Sequence, residues 1–271
     1  MPARVVERAG HNGSAMRGIR MTISLGLAGA AVLAAGACTA PVSAGATTAP
    51  AEVNTANIEP SFFPDRLDTK SSLTFTIRYT GGEDGVPSPV RRSVLRFPVG
   101  VSLDLPELSD CPVSRLRARG VGGCPPQSKL GYGSALVEVR AGSQTLTENV
   151  SMSIFLGAPR NLEPTLEILA RGYTPFDERV VLIGSMLSDR RPYGQALSIV
   201  IPPIRTLTFE PDASIVKFSL VIGGEQREHQ TAADAVLLPS SCPVGGFPFA
   251  AAFTYANGSS ASAVASAPCP R

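Results

Sequence analysis

The sequence predicts an all-β fold, a β-sandwich of the immunoglobulin-like or a related type, with about nine short strands and two disulfides. Three observations predict it. Apolar and polar residues alternate over short runs, Pro and Gly punctuate nearly every gap between these runs, and no segment has the pattern of a long amphipathic helix. Because 44% of the 271 residues are hydrophobic, the chain has enough apolar material for a packed core.

The N-terminal segment has the features of an export signal. Arg17 and Arg20 precede an uncharged run over 21–37 that is rich in Leu, Ala and Gly. A positive region followed by an apolar run of this length is typical of a signal peptide, and the run is too short and too weakly hydrophobic for a spanning helix. Residues 1–37 are therefore predicted to be a signal peptide that includes an N-terminal extension, 1–15. Three methionines remain possible starts: Met1, Met16 and Met21.

Small residues lie directly before Cys38, in the run Leu33-Ala34-Ala35-Gly36-Ala37. This arrangement resembles the lipobox of bacterial lipoproteins, in which the cysteine thiol is acylated and the leader is cleaved before it. The resemblance implies that Cys38 is a lipidation site. The segment 38–61 is rich in Ala, Thr and Pro and has few large apolar residues, which favours a flexible tether; an N-terminal strand is the alternative. Since Ala35-Gly36-Ala37 also suits ordinary signal peptidase, simple secretion stays open as an alternative.

A single folded domain is predicted over 62–271. Its first clear strand is 71–79, where Leu73, Phe75 and Ile77 alternate with polar residues. The strands that follow are predicted at 93–97, 134–140, 150–156, 166–170, 179–186, 196–201, 214–222 and 247–255. Asn257-Gly258 then predicts a type I′ turn that folds the small-residue run 259–267 back on the last of them.

Four cysteines follow Cys38: Cys111, Cys124, Cys242 and Cys269. Four cysteines in an exported chain indicate two disulfides, with three possible connectivities. Local pairing is the simplest, Cys111 with Cys124 and Cys242 with Cys269, and the turn at 257–258 favours the second pair because it brings the chain end back towards Cys242. A four-thiolate metal site is the alternative, but no C-x2-C pair is present.

Composition argues against several function classes. Four Arg and one Glu precede Cys38, so the remainder has 20 basic and 21 acidic residues and a net charge of −1. This near-neutral balance gives no sign of a nucleic-acid partner, and no metal or cofactor is predicted. A serine hydrolase is disfavoured because G-x-S-x-G is absent and His229 is the sole histidine after the leader. The adjacent carboxylates 83–84 and 177–178 are interpreted as solvated turn charges.

One basic cluster lies inside the first predicted disulfide loop, at Arg115, Arg117 and Arg119. A constrained basic loop is suited to phosphate-bearing envelope polymers or lipid headgroups. The competing interpretation is a solvated loop in an Arg-rich chain. The three arginines are therefore candidate contacts for an anionic ligand.

Several short elements follow one another along the chain: Pro98-Val99-Gly100-Val101-Ser102, Cys124-Pro125-Pro126-Gln127-Ser128-Lys129-Leu130-Gly131, Ile154-Phe155-Leu156-Gly157, Val221-Ile222-Gly223-Gly224 and Leu238-Pro239-Ser240-Ser241-Cys242. Together they resemble a group of secreted, largely uncharacterised β-rich envelope proteins of actinobacteria. The resemblance implies β architecture and an envelope or extracellular location. It implies no activity and transfers no catalytic residue.

The sequence therefore predicts an exported, lipid-anchored envelope protein that acts as a non-enzymatic binding or structural module. Its expected partners are the membrane, through the anchor, and envelope polymers or other envelope proteins. Two alternatives stay open: a carrier of a lipid or small apolar ligand, and an envelope glycan or ester hydrolase. A carrier requires an apolar cavity of roughly several hundred Å³, and a hydrolase requires converging carboxylates or His229 beside Ser or Asp.

Overall fold

The computed structural model describes residues 53–82, 85–105, 109–174, 177–206, 210–223 and 236–270. The predicted leader and Cys38 lie outside these residues, as does the tether up to residue 52. The described elements, in chain order, are β1 Thr55–Phe63, β2 Lys70–Thr80, β3 Val90–Pro98, β4 Ser102–Leu103, α1 Val113–Arg119, β5 Lys129–Ala141, β6 Gln144–Arg160, β7 Glu163–Arg171, β8 Arg179–Ser188, β9 Tyr193–Val200, β10 Ser214–Ile222, β11 Val236–Leu237, β12 Phe247–Tyr255 and β13 Ser260–Ala267. Two short 3-10 turns, Gly120–Gly123 and Pro126–Ser128, lie between α1 and β5.

The strands form one antiparallel sheet in the order β13-β12-β3-β9-β8-β7-β6-β5-β10-β2-β11-β4, with β1 also paired to β2. The all-β class and the two disulfides are confirmed. The sheet, however, is curled into a half-barrel, not clearly a sandwich, and it has thirteen strands, not nine. A period of two in the sequence identifies the side chains that face the core. The period is the same whether those side chains pack against a second sheet or against the far side of one curled sheet.

The strands beyond the predicted nine lack a strong alternating apolar pattern. β4 and β11 have two residues each, and the residues of β13 are mostly Ser and Ala. β1 buries only Ile58 and Phe62 of its nine residues. The predicted tether therefore ends too late, because residues 55–61 are already part of β1.

Aromatic side chains fill much of the core inside the curl. The Phe62 ring of β1 lies 5.6 Å from that of Phe247 in β12, although these strands are paired to different neighbours. Phe249 lies at the centre of the cluster, 5.8 Å from Phe75 and 6.2 Å from Phe97 between ring centroids. The curl thus brings the first and twelfth strands into one core.

Both local disulfide pairs are present, Cys111–Cys124 and Cys242–Cys269. The predicted β12–β13 hairpin is also present, but its turn is not type I′. A type I′ turn needs positive φ at both central residues, whereas only Gly258 has one, at 81°. The side chain of Asn257 instead accepts hydrogen bonds from the backbone N–H and the hydroxyl of Ser259.

Candidate functional site

The predicted basic cluster lies on a small structural unit that we call the cap, residues 111–128. Pro112 precedes the seven-residue helix α1, and Gly120 ends it with a φ of 63°. A helix of two turns is too short to be stable by itself. The Cys111–Cys124 disulfide, with a Cα–Cα distance of 5.1 Å, therefore has the role of holding the two ends of this segment together.

The cap packs on the outer face of the sheet, opposite the main core. Leu116 of α1 and Cys111 are completely buried, and they form a separate apolar cluster with Phe155 of β6 and Leu169 of β7. The backbone N–H of Cys111 also donates to the carbonyl of Leu156 at 2.8 Å. The cap is thus attached through a satellite cluster that is distinct from the core inside the curl.

The three predicted arginines are all on α1, and all three side chains are exposed. None of them forms an ion pair within the described parts of the chain. Arg117 and Arg119 lie in the last turn of the helix, where a positive charge also interacts favourably with the helix dipole. The cluster is therefore available to an anion while it also stabilises α1.

Sequence reasoning missed two ionisable groups on the face beneath the cap. Lys129 and Glu167 are the cross-strand partners of Phe155, one on each side. Each residue is only 3% exposed. The Lys129 Nζ and the Glu167 Oε2 atoms have no hydrogen-bond partner among the described residues. In β7, Leu166 and Ile168 face the main core, so alternation places Glu167 on the outward face and predicts that it is exposed; the structure instead buries it, on the face where the cap cluster packs.

Burial has opposite effects on these two groups. It lowers the pKa of Lys129 because the charged ammonium loses its water. It raises the pKa of the Glu167 carboxyl for the same reason, while the nearby charges of Arg160 and Arg117 act in the opposite direction. Burial is the larger effect on Glu167, so in both groups burial disfavours the charged form.

Gly157 leaves space on the sheet for the Glu167 carboxyl. A Cβ on Gly157, in the neighbouring strand β6, would lie 2.7 Å from Glu167 Cγ and 2.4 Å from Thr165 Oγ1. Any larger residue would push the carboxyl away from its position. The hydroxyl of Thr165 donates instead to the carbonyl of Ala158, at 2.9 Å.

The other predicted positions do not join this site. His229 and the carboxylates 83–84 lie outside the described residues. Asp177 is exposed and pairs with Arg171, whose guanidinium also lies 4.6 Å from the centre of the Tyr173 ring. Within the described segments no group of three or more His, Cys, Asp and Glu side chains is placed to hold a metal ion. None of the helices in those segments has the length and apolar character needed to cross a bilayer.

The described domain contains an apolar cavity and a more polar cleft. An apolar cavity inside the curl has a volume of about 60 Å³ and is lined by residues that include Glu148, Thr206 and Phe218. This volume is well below the several hundred Å³ expected for a lipid carrier. A larger cleft of about 220 Å³ lies on the outer face and includes Glu138 and Asp212. The Asp212 carboxylate is already paired with the guanidinium of Arg91.

No protein-family model, curated protein or solved structure matches this chain.

Proposed function

We propose that this protein is an exported, lipid-anchored binding module of a bacterial cell envelope, and that it binds phosphate-bearing anions through the cap. The observation that carries the ligand class is the set of three exposed arginines, none of which has an ion-pair partner among the residues that the structure describes. Because the disulfide restrains their helix, less side-chain and backbone freedom is lost when a ligand binds. Guanidinium groups suit phosphate because they donate two parallel hydrogen bonds.

The disulfides support the proposed location. Thiols are kept reduced in most cytosols, so a chain with two disulfides is typical of an oxidising compartment outside the cytosol. With these four cysteines paired, Cys38 is the odd one, as expected if its thiol carries lipid. A single acyl chain binds a membrane only marginally, so stable anchoring needs the two or three chains of a lipoprotein.

The ligand class is tested with Cys38→Ala protein that begins at residue 38, which removes both the anchor and the basic, apolar leader from the measurement. Arg115→Gln, Arg117→Gln and Arg119→Gln are combined, and binding to inorganic polyphosphate and to phosphatidylglycerol vesicles is measured. We expect a loss of about a hundredfold, because each of the three surface charges near an anionic layer contributes about 1 kcal/mol. Binding of the unaltered cap should also weaken as salt is added.

A matched control removes three exposed arginines from elsewhere, Arg66, Arg190 and Arg191, and changes the net charge equally. If this control loses as much binding as the cap variant, the attraction is a general charge effect and the proposed site is wrong. Binding to polyphosphate alone would identify a polymer ligand, and binding to vesicles alone would identify headgroups. Binding to neither would contradict the proposal.

The anchor has a separate test. Globomycin, which blocks lipoprotein signal peptidase, should cause the precursor to accumulate, and Cys38→Ala should release the protein into the medium. Processing that is unchanged by both treatments would exclude the lipid anchor and leave simple secretion.

A further inference from the structure

The face beneath the cap is a row of three side chains across neighbouring strands: Lys129, Phe155 and Glu167. The central ring contacts the cap cluster, and the two ionisable groups on either side are buried without hydrogen-bond partners among the described residues. A buried polar atom without a partner disfavours the conformation that buries it. Lys129 and Glu167, at the two ends of the row, therefore both disfavour closure of the cap.

The charged groups around the row do not offset the cost of burying Lys129 and Glu167. Arg117 faces Glu167 from α1, and Arg160 faces it from β6. Neither guanidinium lies within ion-pair distance of the carboxylate. On β8, Arg179 lies beside the cap at Gly120, where its Nη1 is 3.4 Å from the position of a Cβ. The burial-induced pKa directions of Lys129 and Glu167 are consistent with groups that would regain charge if water reached them.

Few interactions hold the cap closed. Its buried side chains, Leu116 and Cys111, contact the sheet through the satellite cluster and not through the main core. The backbone hydrogen bond from Cys111 to the Leu156 carbonyl adds to this attachment, and the disulfide limits how far the segment between its two cysteines can spread. A small cluster and a covalent link thus oppose the two unpartnered groups.

We propose that the cap is a redox-controlled cover, closed over the Lys129–Phe155–Glu167 row while Cys111 and Cys124 are bonded and opened when a dithiol reductant separates them. When the cap opens, the Phe155 ring becomes accessible on the sheet, between the Lys129 ammonium and the Glu167 carboxylate and next to Leu169. This inference does not depend on the anion binding proposed above, because it concerns the face under the cap.

The reductant is expected to attack the more accessible sulfur of the disulfide. Cys111 is completely buried, whereas Cys124 is half-buried. A thiolate of the reductant attacks Cys124 Sγ, the Sγ–Sγ bond breaks, and Cys111 leaves as a thiolate that takes a proton. The second thiol of the reductant then attacks the mixed disulfide and releases Cys124. Two electrons and two protons pass to the protein, and the reductant becomes a disulfide.

The test is amine labelling of folded, full-length protein with peptide mass spectrometry. The chain has three lysines, Lys70, Lys129 and Lys217, so two of them serve as internal references for the buried one. In Cys111→Ser/Cys124→Ser we expect labelling of Lys129 to rise by about tenfold or more relative to Lys217. The control Cys242→Ser/Cys269→Ser should leave Lys129 protected, provided that circular dichroism shows a folded sheet.

A third variant tests the cause of opening. Adding Glu167→Leu to Cys111→Ser/Cys124→Ser replaces the unpartnered carboxyl by an apolar group and should lower the labelling of Lys129 again. Hydrogen exchange of residues 111–128 should follow the same order in all variants. Lys129 that stays protected in the cap double variant, while Lys70 and Lys217 react as before, would overturn the proposal. A parallel rise in the labelling of Lys70 and Lys217 would also overturn it, since the whole domain would then have opened.

Discussion

The two disulfides hold regions that differ in how they join the rest of the molecule. Cys111–Cys124 closes the cap, whose buried residues form a satellite cluster on the outer face of the sheet. Cys242–Cys269 spans the β12–β13 hairpin, which contributes Phe247 and Phe249 to the main core. The hairpin is thus part of the cooperative core, while the cap is an addition to it.

This difference shows that a disulfide has no fixed structural role. A cross-link in the core hairpin stabilises the whole domain, because breaking up the hairpin removes aromatic rings from the main core. A cross-link in the cap stabilises only the closed cap, since the sheet beneath keeps its own hydrogen bonds and its inner core. The following predictions test this distinction, from the largest expected effect to the smallest.

Truncating one buried side chain in each region gives the sharpest contrast. Phe249→Ala should lower the free energy of unfolding by about 3–5 kcal/mol, because it removes the ring that packs between Phe62, Phe75 and Phe97. Leu116→Ala should instead open the cap and leave the urea midpoint of the sheet nearly unchanged. A global loss of equal size in both variants would make the cap part of the main core.

Removing each disulfide separately should give unequal losses. For Cys242→Ser/Cys269→Ser, loop entropy predicts that the free energy of unfolding falls by about 3.5 kcal/mol. For Cys111→Ser/Cys124→Ser the global loss should be smaller, because it cannot exceed the free energy with which the oxidised cap closes on the sheet. Urea titrations followed by circular dichroism measure both values. A larger loss in the cap variant would reverse the comparison.

The core and the cap should also respond to different pH ranges. Burial raises the pKa of Tyr255 to about 12, and the Tyr255 hydroxyl has no hydrogen-bond partner within the described residues. The unfolded chain therefore releases this proton first, and global stability should fall as the pH rises from about 10 to about 12. Tyr255→Phe should reduce this alkaline loss and add about 1 kcal/mol at neutral pH, measured by urea titration. An unchanged alkaline profile would contradict this assignment.

Closure of the cap should depend on pH through Glu167 and Lys129, and not through a core tyrosine. The pKa of Glu167 is raised above its ordinary value of 4.5, so the closed cap is favoured at low pH and loses that contribution as the carboxyl ionises. The lowered pKa of Lys129 disfavours closure as the pH falls below the lysine's ordinary range. Glu167→Gln should remove the first dependence and keep the second. Hydrogen exchange of the cap at about pH 4 and about pH 7, corrected for intrinsic rates, checks this, and identical profiles for both proteins would exclude Glu167 as the group responsible.

Sequence patterns predicted the parts of the structure that depend on local chemistry. Alternation located nine strands, and the local cysteine pairs and the turn near Gly258 located both disulfides and the last hairpin. The curl of the sheet was not predictable, because alternation carries no information on which strands meet across the core. β1 was missed because only Ile58 and Phe62 are large apolar residues on its inward face, where Ala56 and Pro60 are the other members.

The candidate site was also only partly predictable, because the sequence shows local patterns but not which elements pack together. The three arginines are visible as a cluster in the sequence, and the structure places them together on α1, exposed; their role as anion contacts stays a prediction. Lys129 and Glu167 were not identified, because they lie on a strand face which the pattern marks as outward and their burial depends on tertiary packing. Gly157, which leaves room for the Glu167 carboxyl, shows its role only once β6 and β7 are paired.

The most direct test of the distinction between cap and core is hydrogen exchange of the two disulfide double variants, compared with the unaltered protein. For Cys111→Ser/Cys124→Ser we predict that protection is lost only in residues 111–128 and in the segments of β6 and β7 beneath them. For Cys242→Ser/Cys269→Ser, the loss should extend through β12 and β13 into β3 and β1. Loss of protection throughout the sheet when the cap disulfide is removed would contradict the account.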